Sequence, residues 1–289
     1  MTVRNPICFR GIGLHSGEPS ELHIIPGYLN QGIVFHVMDE WECVALIGAT
    51  IENASCGNLR TVLRSNDHAI DTVEHILAAL TGCGVDNAVI KIWGKEVPIM
   101  DGSTSGWVDL ITESGDLKQQ DGLRKLIRIT KRIECESNGS WCYLEPNDGA
   151  RDLSLEYEMS YDHPLIGDQK MSLVLTNDSF KNDLSRARTF GFFKDLDMIR
   201  SKGLAKGATL ENTLVFDDLG IKNQDGMRWH DEPIRHKLVD AIGDLSLAGH
   251  RIAGRFVGHR SGHALNQDLI RNLMNSRSSW RFESCEITA

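Results

Sequence analysis

No stretch of this chain stays apolar for the ~18–20 residues that a bilayer-crossing helix needs, and its N-terminal MTVRNPICFRGIG has no apolar core of a secretory signal. The expected location is therefore the cytosol. A surplus of positive charge is also missing, since 31 Lys and Arg stand against 40 Asp and Glu, for a formal net charge of −9 and a pI near 5.7. Nucleic acids and anionic bilayers are polyanions, so whole-surface attraction to either is excluded, and an anionic ligand has to be met by a local group of cations. The seven cysteines (Cys8, Cys43, Cys56, Cys83, Cys135, Cys142 and Cys285) form no CxxC pair, and an odd, scattered set fits free thiols in a reducing compartment. Among them Cys83, set between Gly82 and Gly84, is the one to watch for chemistry, against ordinary packing at a helix end. HExxH, GxSxG, a Walker A loop and a complete GxGxxG after a strand are all absent, which leaves GIGLHSG and DGSTSG to be read as tight turns.

What is present is a chain of 289 residues, 41% apolar, long enough for a sizeable core and best divided into two medium units. ICFRGIGL, ELHIIP, GIVFHVM and ECVALIGATIENA read as strands, rich in β-branched residues and separated by turn formers. DTVEHILAALTGCG then shifts to helical period, with Val73, Ile76, Leu77 and Leu80 on one face, Asp71 as N-cap and Gly82 or Gly84 as the stop. A strand (DNAVIKIWG) and a second helix (SGWVDLITESG) follow. The polar stretch SGDLKQQDGLRK places a boundary near residues 115–125, giving units 1–120 and 121–289. KLIRITKRIECE, WCYLEP, LSLEYEMSY and MSLVLT begin the second half as strands, then FFKDLDMIRSKG reads as a helix stopped at Gly203, and NTLVFDD as a strand. EPIRHKLVDAIGDLSLAG, RIAGRFVGHR and ALNQDLIRNLM read as helix, strand and helix, the order that ended the first half, so an α+β unit looks duplicated.

His236, Asp240 and Asp244 lie four apart in RHKLVDAIGD, a spacing that stacks an imidazole and two carboxylates along one helix face. His236 and Asp240 could supply two of the three protein ligands of a catalytic zinc site, although the string alone reads more readily as an exposed polar face with ordinary ion pairs. Glu74 and His75 diverge by about 100° on their helix, so both can border one metal, one ligating and the other facing its water. Taken alone, the pair also reads as a helix-start carboxylate favoured by the dipole. His263 in RSGHALN stands where a loop enters a helix; it is a solvated imidazole or a cation kept protonated by a carboxylate such as Asp244. Thr189 and Phe190 in SRARTFGF are undecided between a turn hydroxyl with a core aromatic and site residues.

GIGLHSGEP, TVEHILAAL, PIMDGSTSGWV, SRARTFGF, DEPIRHKLVDAIGDL and SGHALN occur together in this order across residues 11–266. In this the chain resembles the UDP-3-O-acyl-N-acetylglucosamine deacetylases of lipid A synthesis. The resemblance implies one Zn²⁺ bound by His75, His236 and Asp240, and Glu74 as general base against an acetamide carbonyl. His263 would stabilise the oxyanion and protonate the leaving amine, with Asp244 orienting it and Thr189 as a further oxyanion donor. It implies sugar contacts at Lys237 and Phe190, a uracil contact at Tyr161 and a pyrophosphate contact at Arg260, so the partner would be a UDP-linked acylated amino sugar. The family fold is two similar sheet-and-helix units with their helices packed together and the site between them. An inserted β-α-β segment, here about 190–218, would form an acyl-chain passage with Phe192, Leu196, Ile199, Ala205 and Leu210 as lining, or as ordinary core. Ser140 stands where some relatives carry lysine, and His230 and Pro233 where acidic and aromatic residues are common; these departures bear on phosphate contacts and on the entry to the ligand helix. From another class, a catalytically silent nucleotide-sugar or lipid binder is opposed by the presence of Glu74 and His263. A zinc amidohydrolase for a different N-acyl sugar stands only if Ser140 marks a changed nucleotide pocket.

Overall fold

Alternation along Pro19–Pro26 buries Ser20, Leu22 and Ile24 on one side of the strand and leaves Glu21, His23 and Ile25 partly exposed on the other. In the computed structural model, which describes residues 1–286, this strand pairs antiparallel with Ile7–Ile12 and with Ala88–Trp93. Ala88–Trp93 runs parallel to Ile33–Asp39, which forms a hairpin with Glu42–Gly48. The same order recurs in the second half. There the hairpin of Ile133–Ser137 and Ser140–Glu145 lies antiparallel to Arg251–His259, whose other side runs parallel to Leu153–Tyr161, itself hairpinned with Gly167–Val174. Arg124–Ile129 and Trp280–Cys285 extend this second sheet to seven strands.

The helices are α1 (Glu74–Gly82), α2 (Ser105–Asp109, prolonged by a π turn to Ser114), α3 (Asn177–Ser179, likewise prolonged to Leu184), α4 (Leu196–Ser201), α5 (Glu232–Ser246) and α6 (His263–Asn275). At nine residues α1 is too short to persist alone in water. It is held by burial, because every residue but Thr81 is buried between its own sheet and α5. A Cβ on Gly243 of α5 would stand 2.2 Å from the Glu74 carbonyl oxygen. A helix-interior glycine costs ~1 kcal/mol relative to alanine, and here it admits the backbone of the other helix. Gly82 plays a similar part on α1, where a Cβ would lie 2.1 Å from the Phe180 ring.

Several sequence expectations need correction. Asp71 does not cap α1: it ends the strand His68–Asp71 and pairs with Arg60 at 2.8 Å, while Thr72 turns the chain through a left-handed conformation into the helix. The stop of α1 is Gly84, at φ +82°, rather than Gly82. Cys83 is a buried residue at this helix end whose thiol is pushed up to about 12 by burial, so it packs rather than reacts. The three-stranded sheet of Ala54–Gly57, Arg60–Ser65 and His68–Asp71 was not anticipated, because its turns at Leu59 and Asn66 interrupt strands too short and polar to show a period. Nor were α3, started by a Thr176/Ser179 capping box, or Trp280–Cys285, which lies in what reads as a tail. The last three positions of that tail, 287–289, lie outside the described residues.

The N-terminal ammonium of Met1, Arg124 (2.8 Å) and Arg251 (3.3 Å) converge on Asp86, tying the start of one sheet's central strand to the other sheet. Burial opposes the Asp86 charge, but Arg251 and Arg124 outweigh it and hold the carboxyl below its ordinary 3.8. A depressed folded pKa contributes stability that is fully present above the unfolded value and is lost as pH falls through the folded one. Asp86→Asn is expected to cost about 2–4 kcal/mol at neutral pH, with the gap to wild type closing below pH 3.8. Urea unfolding across pH checks this, and a gap that persisted in acid would contradict it. Gly243→Ala is expected to cost about 3 kcal/mol, because neither backbone can yield; an unchanged urea midpoint would rule out the close approach of α1 and α5.

Candidate metal centre and active site

The close approach sets the first turn of α1 against the middle of α5. His75 then meets His236 and Asp240, one turn apart on α5, with ligand atoms within 4.8 Å of one another and all three residues buried. Asp240 Oδ1 lies 3.8 Å from His75 Nε2 and 3.4 Å from His236 Nε2, and the two imidazoles meet edge to face at 5.0 Å between centroids. Ligands ~2.0–2.1 Å from a tetrahedral ion lie about 3.3 Å apart, so these separations suit donors that face a common ion. His236 Nδ1 donates to the Ala187 carbonyl at 3.0 Å, which fixes the tautomer and leaves the Nε2 lone pair toward Asp240. His75 Nδ1 is buried with no hydrogen-bond partner among the described residues.

Electrostatics prepares the same set. Burial lowers the pKa of His236 and takes that of His75 down to about 3, so both are neutral, the form a metal binds. Burial would raise the Asp240 pKa, but Lys237, whose ammonium donates to Oδ2 at 2.8 Å, and then His236 hold it well below the carboxylate range. Two neutral imidazoles and one carboxylate make the donor set of a catalytic zinc or a related divalent ion, and the residues present fit such a group.

Beside them, Glu74 accepts from the Thr61 backbone N–H at 3.0 Å through Oε2, and its Oε1 lies 3.7 Å from His263 Nε2. Burial raises the Glu74 pKa to about 7. His263 opens α6, and its Nδ1 donates to Asp244 at 2.9 Å. Burial and the helix N-terminus both disfavour an imidazolium there, yet Asp244 and then Glu74 prevail and its pKa stands at about 10. The group thus combines a carboxyl that can take a proton near neutral pH with a cation that can give one.

The remaining candidates divide. Lys237 stands 5.7 Å from the Phe190 ring centroid and Phe190 packs edge-on to Tyr161 at 5.8 Å, so these three form one wall beside Asp240. Thr189 is half-buried two residues after the Ala187 carbonyl, and its hydroxyl has no partner among the described residues. Arg260 is exposed at the end of Arg251–His259, at φ +52°, three residues before His263. Phe190–Phe192 and Leu214–Asp217 pair in parallel around α4, and Phe192, Leu196, Ile199, Ala205 and Leu210 are all half-buried or exposed rather than in the core. Ser140 begins a sheet strand, His230 is exposed, and Pro233 sits in the first turn of α5, where its missing N–H breaks no bond.

Sequence reasoning missed the residues that brace the site. Arg188 and Glu232, both buried, pair at 2.8 Å and lock the segment carrying Ala187 to the start of α5. Asn266 donates to Asp244 at 2.9 Å, and Gln267 to Thr61 at 3.0 Å. Asn266 and Gln267 were findable as the residues one turn after His263, whereas nothing local marks Thr61. A cleft of about 510 Å³ between the two sheets, lined by residues such as Thr81, Arg124, Leu245 and Trp280, includes none of the metal-centre residues.

Among the described residues no helix is long and apolar enough to cross a membrane. The LpxC family, UDP-3-O-acyl N-acetylglycosamine deacetylase, matches residues 1–275. A UDP-3-O-acyl-N-acetylglucosamine deacetylase of Thioalkalivibrio sulfidiphilus is 40% identical over 281 residues, covering 96% of this chain and 91% of the relative. Another from Methylococcus capsulatus is 39% identical over 287 residues, covering 99% and 93%. With this coverage added to the assembled site, the chain belongs to the UDP-3-O-acyl N-acetylglycosamine deacetylase family.

Proposed function

We propose that this protein hydrolyses the acetamide of UDP-3-O-(3-hydroxyacyl)-N-acetylglucosamine to the free amine and acetate, as a zinc-dependent deacetylase at a committed step of lipid A biosynthesis. The observation that carries the reading is the N₂O donor set of His75, His236 and Asp240 beside a carboxyl and a cationic imidazole. The two relatives, both UDP-3-O-acyl-N-acetylglucosamine deacetylases, point to the substrate. One Zn²⁺ per chain, held by those three residues, would supply Lewis acidity toward the attacking water and the amide carbonyl.

Glu74 takes the proton of the attacking water at Oε1, the oxygen that Thr61 does not hold. His263, its ring fixed by Asp244, presents Nε2–H to the developing oxyanion and then delivers that proton to the leaving amine. The Thr189 hydroxyl is a further donor to the oxyanion. Lys237 and Phe190 hold the sugar, Tyr161 the uracil and Arg260 the pyrophosphate; this supplies the local cations that a chain of net charge −9 needs for an anionic nucleotide. The half-buried apolar residues of 190–218 take the acyl chain. Residues 1–120 and 121–289 act as two units with the site between them, and the seven scattered cysteines, with no CxxC pair, fit work in a reducing compartment such as the cytosol.

Acetate release from the UDP-linked substrate, with one zinc per chain verified, tests the reading. Wild type should turn over, and His263→Ala should lose about 10²-fold or more in kcat. A metal-loaded wild type that binds the substrate and releases no acetate would overturn it.

A further inference from the structure

We propose that Thr61 is a positioning residue for the acid–base pair: its hydroxyl orients Asp244 and its backbone orients the start of α1, so one residue aligns both carboxylates that flank His263. The inference rests on the function proposed above.

Thr61 lies in the strand Arg60–Ser65 and is 0% exposed. All of its polar groups point at the site. Its N–H donates to Glu74 Oε2 at 3.0 Å, its carbonyl accepts from Val73, the residue before α1, at 3.3 Å, and its hydroxyl lies 2.6 Å from Asp244 Oδ1. The direction of the last bond follows from chemistry. An ionised carboxylate only accepts and the Gln267 amide nitrogen only donates, so the hydroxyl takes Gln267 Nε2–H at 3.0 Å and must aim its own hydrogen at Asp244. Gln267 is itself buried on α6, one turn after His263, and fixes the rotor that fixes the carboxylate.

The four contacts of Asp244 show what the hydroxyl does. Oδ2 accepts from His263 Nδ1 and Asn266 Nδ2, both at 2.9 Å, whereas Oδ1 has the Thr61 hydroxyl at 2.6 Å and a longer 3.1 Å contact with the same His263 nitrogen. Without the hydroxyl, Oδ1 keeps the longer contact, and the two bonds to Oδ2 define the carboxylate's turn about Cβ–Cγ less tightly. The His263 ring follows Asp244, so its Nε2 leaves the line it holds toward the water and amide. Thr61 touches no reacting atom; its hydroxyl reaches the reaction through Asp244 and His263, whereas its backbone bond to Glu74 does not depend on the side chain and is kept in every Thr61 variant.

Thr61→Ser and Thr61→Ala separate the hydroxyl from the packing methyl, since both lack the methyl and only serine keeps the hydroxyl. With equal zinc content, Thr61→Ser should stay within about 2-fold of wild-type kcat. Thr61→Ala should lose about 10-fold or more with KM little changed, a fraction of the ~10²–10⁴ that a positioned acid or base contributes. Thr61→Val, which keeps the volume, should lose as much and serves if the alanine variant does not fold. In a His263→Ala background the Thr61→Ala change should have no further effect on kcat. Equal kcat for serine and alanine, a loss confined to KM, or full additivity with His263→Ala would overturn the inference. An inactive wild type would instead remove the function on which it rests.

Discussion

Gly243 lets the α5 backbone come against the carbonyl of Glu74, and the chemistry of the molecule depends on that approach. Neither helix holds the site alone: α1 carries Glu74 and His75, and α5 carries His236, Asp240 and Asp244. A side chain between the helices would part the imidazoles of His75 and His236, now 5.0 Å apart, and separate donors that could face a common ion. The two sheets repeat one strand order, so each supplies a similar platform for its helix, and the site forms where the platforms meet.

Burial then does opposite things to neighbouring groups, according to their partners. His75 and His236 face Asp240 at 3.8 and 3.4 Å, but burial outweighs its pull and keeps both imidazoles neutral, the form a metal binds. Asp240 has Lys237 at 2.8 Å and stays ionised. Burial raises the Glu74 pKa to about 7 against the His263 imidazole 3.7 Å away, while His263, on Asp244, rises to about 10. Environments that push the pKa values of adjacent groups apart are how a single low-dielectric pocket contains both a proton acceptor and a proton donor.

The periodic parts of the fold were legible in the sequence. The four-residue spacing of His236, Asp240 and Asp244 placed three side chains along α5, and the change of period at DTVEH located α1. The ligand set itself came from family resemblance, because an HxxxD string alone reads more readily as a solvated face. Short polar strands such as Arg60–Ser65 were not legible, since their pairing is decided by neighbours remote in the chain. Thr61 belongs to such a strand and meets Asp244 across 183 residues, a contact that no local pattern encodes. Asp71 failed as a cap because Arg60 competes for its carboxylate, a tertiary contact overriding a local preference.

Zinc K-edge X-ray absorption on the metal-loaded protein tests most directly whether the junction of α1 and α5 is the metal centre. The account predicts a shell of nitrogen and oxygen only at ~2.0–2.1 Å, with outer-shell scattering from two imidazoles that falls to one in His75→Ala and in His236→Ala. Sulfur scattering near ~2.3 Å, or an unchanged spectrum in both variants, would put the metal elsewhere and contradict the account.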